Sequence, residues 1–249
     1  MTYKALFLDV DGTTVLHGID SLPTVRVTQK IKEAMDCGIM VGLATSRPPR
    51  SAVGVIEHLR LNGYCVLSSG SEIYDSKNRE VIIRKEFPIN AIPHILKAAQ
   101  MHHASVHIYD GKEEFVFKGG TVPKHVLGMY FPEIEATVLQ NLTKELSLVE
   151  GISLHRMEAW NTKYECLDIV RSDSSKLHGV IEVLRLLGIT MHDVIGIGDG
   201  YNDFPLLLAC GLKIAMGNAV PELKAIADFV APSVEEDGVA VVIEKFLLS

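Results

Sequence analysis

Ala5-Leu6-Phe7-Leu8-Asp9-Val10-Asp11-Gly12-Thr13-Thr14 sets a short apolar run directly against two carboxylates and a glycine. Such a run, ended by a turn signal, reads as a strand buried on both faces, the kind a parallel sheet uses. The same construction returns late in the chain, where Val194-Ile195-Gly196-Ile197-Gly198 runs into Asp199-Gly200-Tyr201-Asn202-Asp203. Each pair of acids therefore falls just past the carboxyl end of a buried strand, the edge of an open α/β sheet where ligands bind. Carboxylates crowded at one edge repel unless a cation is held between them, and hard oxygen donors suit Mg²⁺. The chemistry Mg²⁺ most often serves is phosphoryl transfer.

Working outward from the first strand, Val27, Ile31, Ala34 and Met35 fall close to helical spacing, so a helix is expected over 24–37 with Gly38 as its stop. A strand over 39–44, the polar turn Thr45-Ser46-Arg47-Pro48-Pro49, a helix to Leu61 and a strand over 64–68 follow. This βαβαβ order implies a parallel sheet with right-handed crossovers. The end of the chain resumes it: a helix over 175–187 ending at Gly188, the strand before Asp199, a helix to Cys210, a strand over 212–216, a helix over 221–227, a strand at Phe229-Val230 and a helix over 235–247. The two ends read as halves of one doubly wound, Rossmann-like α/β domain, residues 1–82 and 172–249. The middle, 83–171, reads otherwise. Strands over 105–109 and 114–118 meet at Asp110-Gly111-Lys112, a helix is expected over 123–129, and strands over 152–157 and 164–170 flank Trp160-Asn161. Strands joined by hairpins make an antiparallel sheet, so the middle is expected to be an inserted α+β domain.

The 249 residues suffice for this arrangement, and 47% apolar with 22% charged residues is ordinary for a globular protein. A net charge of −7 argues against nucleic acid as the main partner. A small anionic substrate fits if a metal and a lysine neutralise it locally. Cys37, Cys65, Cys166 and Cys210 lack both a C-x-x-C pair and zinc spacing and read as reduced, mostly core residues. No run approaches the ~20 apolar residues of a membrane span. Met1 leads directly into the first strand with no signal-peptide pattern, so a cytoplasmic location is expected. Monomer and homodimer both remain open.

A carboxylate can attack phosphorus and split one hard displacement into two easier ones. Asp9 suits the nucleophile, and Asp11, two residues on, suits the general acid for the leaving group and general base for water. Gly12 permits a sharp turn and brings its amide toward a phosphate. Thr45 follows a strand of the same sheet and could reach the equatorial oxygens, while Lys176 offers a cation beside a helix start. Asp199 would hold the metal, with Asp203 as a further or water-mediated ligand. Each element alone has a plainer reading: D-x-D as a turn, Thr45-Ser46-Arg47 as a helix cap, Lys176 as solvated, and G-D-G-x-N-D as a calcium-type loop lacking its later Glu. Their order on strands of one sheet favours the site. His102, His103 and His107 are close in sequence without metal spacing, and Trp160 suits either a core place or stacking on a ring. Arg47 stays open between a salt bridge and a substrate contact.

With these residues in place, the chain resembles the haloacid dehalogenase superfamily, and within it the Cof-type phosphatases with an α/β cap between the second and third motifs. Asp9-Val10-Asp11-Gly12-Thr13, Thr45-Ser46-Arg47, Lys176 in Ser175-Lys176-Leu177-His178-Gly179, and Gly198 to Asp203 match the four motifs. Ala215-Met216-Gly217-Asn218-Ala219 and the following tail match the C-terminal segments. The resemblance implies an Mg²⁺-dependent phosphatase working through an aspartyl-phosphate on a small phosphorylated metabolite such as a sugar phosphate. It implies Asp9 as nucleophile, Asp11 as acid/base, Gly12, Thr45, Ser46, Arg47 and Lys176 around phosphate or substrate, and Asp9, Asp11 and Asp199 as metal ligands supported by Asn202 and Asp203. The second acid, Asp11, favours ester hydrolysis over dehalogenation. Thr14, Ser46 and Ser69 depart from the family's usual Leu, Gly and Asn-Gly-Ala pattern, which leaves Ser69 without an assigned contact. A phosphomutase of the same fold and a non-catalytic phosphometabolite-binding regulator are the rivals.

Overall fold

The computed structural model describes residues 3–16, 18, 20–158 and 163–248; Trp160 and Asn161 lie outside them. In chain order the elements begin β1 (Ala5–Leu8), α1 (Val25–Asp36), β2 (Met40–Leu43), α2 (Pro49–His58), β3 (Tyr64–Leu67), β4 (Glu72–Asp75) and β5 (Glu80–Arg84). Then come α3 (Ile92–Met101), β6 (His107–Tyr109), β7 (Glu114–Val116), β8 (Gly128–Ile134), α4 (Ala136–Leu146), β9 (Ile152–Glu158) and β10 (Glu165–Arg171). The chain closes with α5 (Lys176–Leu187), β11 (Val194–Gly198), α6 (Phe204–Ala209), β12 (Leu212–Ala215), α7 (Pro221–Ile226), β13 (Phe229–Val230) and α8 (Gly238–Phe246). They fall into two compact units, Met1–Ile83 with Lys176–Ser249, and Arg84–Ser175.

The first unit is built on a five-stranded sheet in the order β13-β12-β11-β1-β2. Its neighbouring strands all pair parallel, with Ala5 opposite both Val194 and Met40. β1 is an interior strand, between β11 and β2, and every one of its side chains is apolar and fully buried. Alternation sends Leu6 and Leu8 to a layer with Val27, Ile31 and Ala34 of α1 and Val239, Val242 and Ile243 of α8. Ala5 and Phe7 go to the opposite layer with Val180, Val183 and Leu184 of α5. Each large side chain so buried contributes about 1.5–3 kcal/mol. Thr24 caps α1 by accepting from the Val27 amide at 3.2 Å, which fixes that helix start where the sequence placed it. β1 also marks the switch point, since its two neighbours come from opposite ends of the chain, and the crevice at its carboxyl end is where a ligand is received.

Beside β2, the third strand departs from a simple βαβαβ reading. β3 meets it through a parallel bridge of Ala44 with Val66 and then turns into a second sheet, β3-β4-β5. β3 and β4 pair antiparallel, Tyr64 opposite Asp75. The turn after β4 is set by Asp75, whose Oδ1 accepts from the amides of Lys77 and Asn78, an Asx signal present in Asp75-Ser76-Lys77-Asn78. α5 lies against β3 at Gly179, where an added Cβ would sit 2.3 Å from Val66 Cγ1. Gly179→Ala gains about 1 kcal/mol of helix propensity but overpacks a fully buried valine at about 1–3 kcal/mol. A net fall of a few degrees in Tm is expected by calorimetry; a rise would mean that α5 shifts freely on β3.

The second unit is an antiparallel sheet in the order β7-β6-β8-β10-β9. Met129, Phe131, Leu167 and Ile169 pack with Ile95 of α3 and with Leu142 and Leu146 of α4 in its core. The helix expected over 123–129 is not there. Val126 accepts from the Phe87 amide at 2.7 Å, and Leu127 donates to the Tyr109 carbonyl at 2.8 Å, so this backbone is spent on lateral bonds. β8 then alternates, Met129 and Phe131 buried and Tyr130 and Pro132 less so, a period of two that a reading anchored on Pro123 overlooks. His102 pairs with Glu145 at 3.1 Å, and His107 meets the Tyr130 hydroxyl at 3.1 Å, so these histidines form polar pairs. Among the described residues no helix is long and apolar enough to cross a membrane.

Candidate active site

Asp9 is the first residue beyond β1, and its amide still donates to the Ile197 carbonyl at 3.0 Å. The loop then closes on itself: the amides of Thr14 and Val15 each reach the Val10 carbonyl at 2.9 Å, and that of Gly12 reaches Val15 at 2.9 Å. Gly12 has a φ of 73°, a conformation glycine adopts without strain. The Thr14 hydroxyl donates to the Asp9 carbonyl at 2.5 Å, so the threonine that departs from the family pattern stitches the loop to its own start.

Lys176, the first residue of α5, is 2% exposed. Its Nζ lies 2.6 Å from Asp9 Oδ1 and 2.6 Å from Asp203 Oδ1. Asp203 is fully buried. Its other oxygen accepts from the amides of Asp199 and Gly200 at 3.0 Å each. It fits there because residue 198 is glycine, whose added Cβ would stand 2.4 Å from Asp203 Cγ. Asp199 is held by the Thr13 hydroxyl at 3.1 Å and the Asn218 amide at 3.3 Å, and the latter also spans 2.8 Å to the Gly12 carbonyl.

Asp9, Asp199 and Asp203 each bring one oxygen within 4.8 Å of the others. Burial, resisted by Lys176 and reinforced by Asp203 and Asp11, pushes the Asp9 carboxyl up to about 7. Burial, then Asp9 and Asp203, raise Asp199 well above the usual carboxylate range. Burial works against the Lys176 cation, but Asp203 and Asp9 outweigh it and its pKa is raised. Three clustered carboxylates thus face one ammonium, and the donor set is hard oxygen. That fits a small divalent cation. Asp9 and Asp199 are best placed to ligate, because both oxygens of Asp203 already serve Lys176 and the backbone. Asn202 turns its amide nitrogen to Ser46 Oγ at 3.2 Å.

Thr45 follows β2, and its hydroxyl oxygen accepts from the Arg47 amide at 3.1 Å. The Ser69 hydroxyl donates to Ser46 Oγ at 2.8 Å. Ser68 and Ser69 hold φ of 50° and 52°, left-handed backbone that costs a non-glycine residue about 1–3 kcal/mol and clusters at functional sites. Arg47 is 7% exposed. Its guanidinium reaches Asp11 rather than open solvent: Nε to Oδ2 at 2.8 Å and Nη2 to Oδ1 at 2.6 Å. The structure therefore brings Asp9, Lys176, Asp199 and Asp203 together, pairs Asp11 with Arg47, and joins Ser46 to Ser69 and Asn202. Thr13, Thr14 and Asn218 entered the sequence reading without roles; a polar residue beside a catalytic loop or within Met216-Gly217-Asn218-Ala219 was the available signal.

A family model for haloacid dehalogenase-like hydrolases matches residues 6–133 and 126–243. The chain belongs to the haloacid dehalogenase-like hydrolase family. YkrA of Bacillus subtilis (strain 168), provisionally named a phosphatase, is 28% identical, the match covering 98% of each chain. The 5-amino-6-(5-phospho-D-ribitylamino)uracil phosphatase YcsE of the same organism is 27% identical over 98% of this chain and 96% of its own. A haloacid dehalogenase-like hydrolase crystal structure from Bacteroides thetaiotaomicron is 26% identical with a TM-score of 0.81, covering 98% of this chain and 99% of that one. This haloacid dehalogenase-like hydrolase is a phosphatase.

Proposed function

We propose that the chain hydrolyses a phosphate monoester of a small metabolite by way of an aspartyl-phosphate on Asp9, with Mg²⁺ as cofactor. The observation that carries this reading is the meeting of Asp9, Asp199 and Asp203 around a buried Lys176 at the switch point of the sheet. Mg²⁺, held by Asp9, Asp199 and the Asp11 carbonyl, would neutralise phosphate charge as it develops. Asp9 attacks phosphorus through the carboxylate oxygen not engaged by Lys176, and the ester oxygen leaves with a proton from Asp11. Asp11 then takes a proton from water as that water attacks the acyl-phosphate, returning Asp9 and releasing inorganic phosphate. Lys176, oriented by Asp203, together with the Thr45 hydroxyl, balances charge on the equatorial oxygens; the Gly12 amide, expected from the sequence to face the phosphate, is instead spent on the Val15 carbonyl at 2.9 Å. Ser46 borders that group, with Ser69 and Asn202 fixing its hydroxyl.

In this reading residues 83–171 are an inserted cap that selects the leaving group, and sugar phosphates and related metabolites are the favoured substrates. The phosphatase relatives support hydrolysis over the mutase alternative, and the complete acid-lysine set speaks against a non-catalytic regulator. A screen of phosphorylated metabolites with Mg²⁺ is expected to give stoichiometric inorganic phosphate from at least one sugar or sugar-like phosphate. Conversion of a sugar phosphate to its isomer without phosphate release would favour the mutase. No turnover of any ester, p-nitrophenyl phosphate included, would overturn the catalytic reading.

A further inference from the structure

We propose that Arg47 is a positioning residue for Asp11 and not a ligand of the substrate phosphate, an inference that rests on the acid/base role given to Asp11 above. The guanidinium meets both carboxylate oxygens of Asp11 through Nε and Nη2, the two-pronged geometry that fixes the plane of a carboxylate as well as its position. The arginine is itself fixed. Nη2 also donates to the Gly18 carbonyl at 2.9 Å, and Nη1 to the Ser51 carbonyl at 3.2 Å. Gly18 lies on the loop that Asp11 begins, and Ser51 on the first turn of α2, so one side chain ties the loop after β1 to the helix after β2. Its backbone is pinned too, with the amide on Thr45 Oγ1 and the carbonyl accepting from the Ser68 amide at 2.9 Å.

This arrangement leaves Arg47 buried, 7% exposed, with its guanidinium engaged by both Asp11 carboxylate oxygens and by the Gly18 and Ser51 carbonyls. A phosphate ligand would instead keep its fork toward the ligand. A carboxyl group has two oxygens, so Asp11 can offer one to the leaving group while Arg47 retains the other and preserves the direction of approach. Lysine at position 47 would keep the charge but lose the fork, and Asp11 would then swing among rotamers.

The test compares p-nitrophenyl phosphate with phenyl phosphate, two aryl esters that differ by a para-nitro group and therefore in how much the leaving oxygen needs a proton. Arg47→Lys is expected to lower kcat/KM for phenyl phosphate by about tenfold or more, and that for p-nitrophenyl phosphate by much less. Inhibition by inorganic phosphate should stay within about twofold, since no phosphate contact is removed. In an Asp11→Asn background the same change should add little, because the partner it positions is gone. Additive losses overturn the assignment however Asp11→Asn itself behaves, whereas a lack of leaving-group selectivity in Asp11→Asn alone would fault the acid role. Equal losses on both esters with weakened phosphate inhibition would make Arg47 a substrate ligand and overturn it as well. Should Arg47→Lys melt early, Arg47→Ala with added guanidinium chloride serves: rescue confined to phenyl phosphate supports positioning, and equal rescue of both esters refutes it.

Discussion

Asp9→Asn is expected to fold normally and to lose turnover by about 10⁴-fold or more, the scale on which covalent catalysis fails when its nucleophile is removed. Asparagine has the same shape but no nucleophilic carboxylate. Stability should not suffer in the metal-free protein. Burial and the neighbouring Asp203 and Asp11 already disfavour the Asp9 anion, so a neutral amide relieves repulsion even as it weakens one of the two Lys176 ion pairs. Phosphate release under steady state gives the rate. Intact mass after acid quench gives the intermediate: wild type should carry one added phosphoryl group during turnover, and Asp9→Asn none. Substantial turnover in Asp9→Asn, or a phosphoryl group still present on it, would move the nucleophile elsewhere.

Much of this arrangement was legible because its signals are local. A four- or five-residue apolar run cut off by acids is too short for a helix and reads as a buried strand with a polar end, and β1 and β11 were readable on that ground. Glycine stops and a threonine cap made α1 equally plain. What escaped depends on contacts between distant residues. The sequence puts Lys176 beside a helix start and suggests a phosphate ligand, while its two carboxylate partners arrive from positions 9 and 203. Arg47 and Asp11 are likewise 36 residues apart, and nothing in either local pattern chooses the other. β8 was missed for a different reason: a proline followed by Val126 and Leu127 imitates a helix start, and strand pairing with β6 and β10 overrides that propensity.

Removing the metal should have an effect as large as removing the nucleophile. Chelation is expected to abolish phosphate release, Mg²⁺ to restore it, and Ca²⁺ to restore it poorly because it prefers longer bonds and more ligands. Asp199→Ala should behave as the chelated protein at any practical Mg²⁺ concentration while Asp9 stays in place. Binding can be read apart from activity. With its pKa raised to about 7, Asp9 keeps a proton in the folded metal-free protein over a range, from roughly 4 to 7, in which the unfolded chain has lost it. The folded state then binds the extra proton, so this group's contribution to metal-free stability falls as pH rises through that window. Mg²⁺ must displace the same proton, so its affinity should climb as pH rises through that window, and the raised Asp199 carboxyl adds to the climb in the same direction. Mg²⁺ at about 100 times its Kd stabilises by about 2.7 kcal/mol, a shift in Tm of several degrees. At one fixed Mg²⁺ concentration the shift should therefore be clear at pH 8 and small at pH 5. An equal shift at both pH values would separate the cation from Asp9, and no shift at either would leave the three carboxylates to be balanced by Lys176 alone.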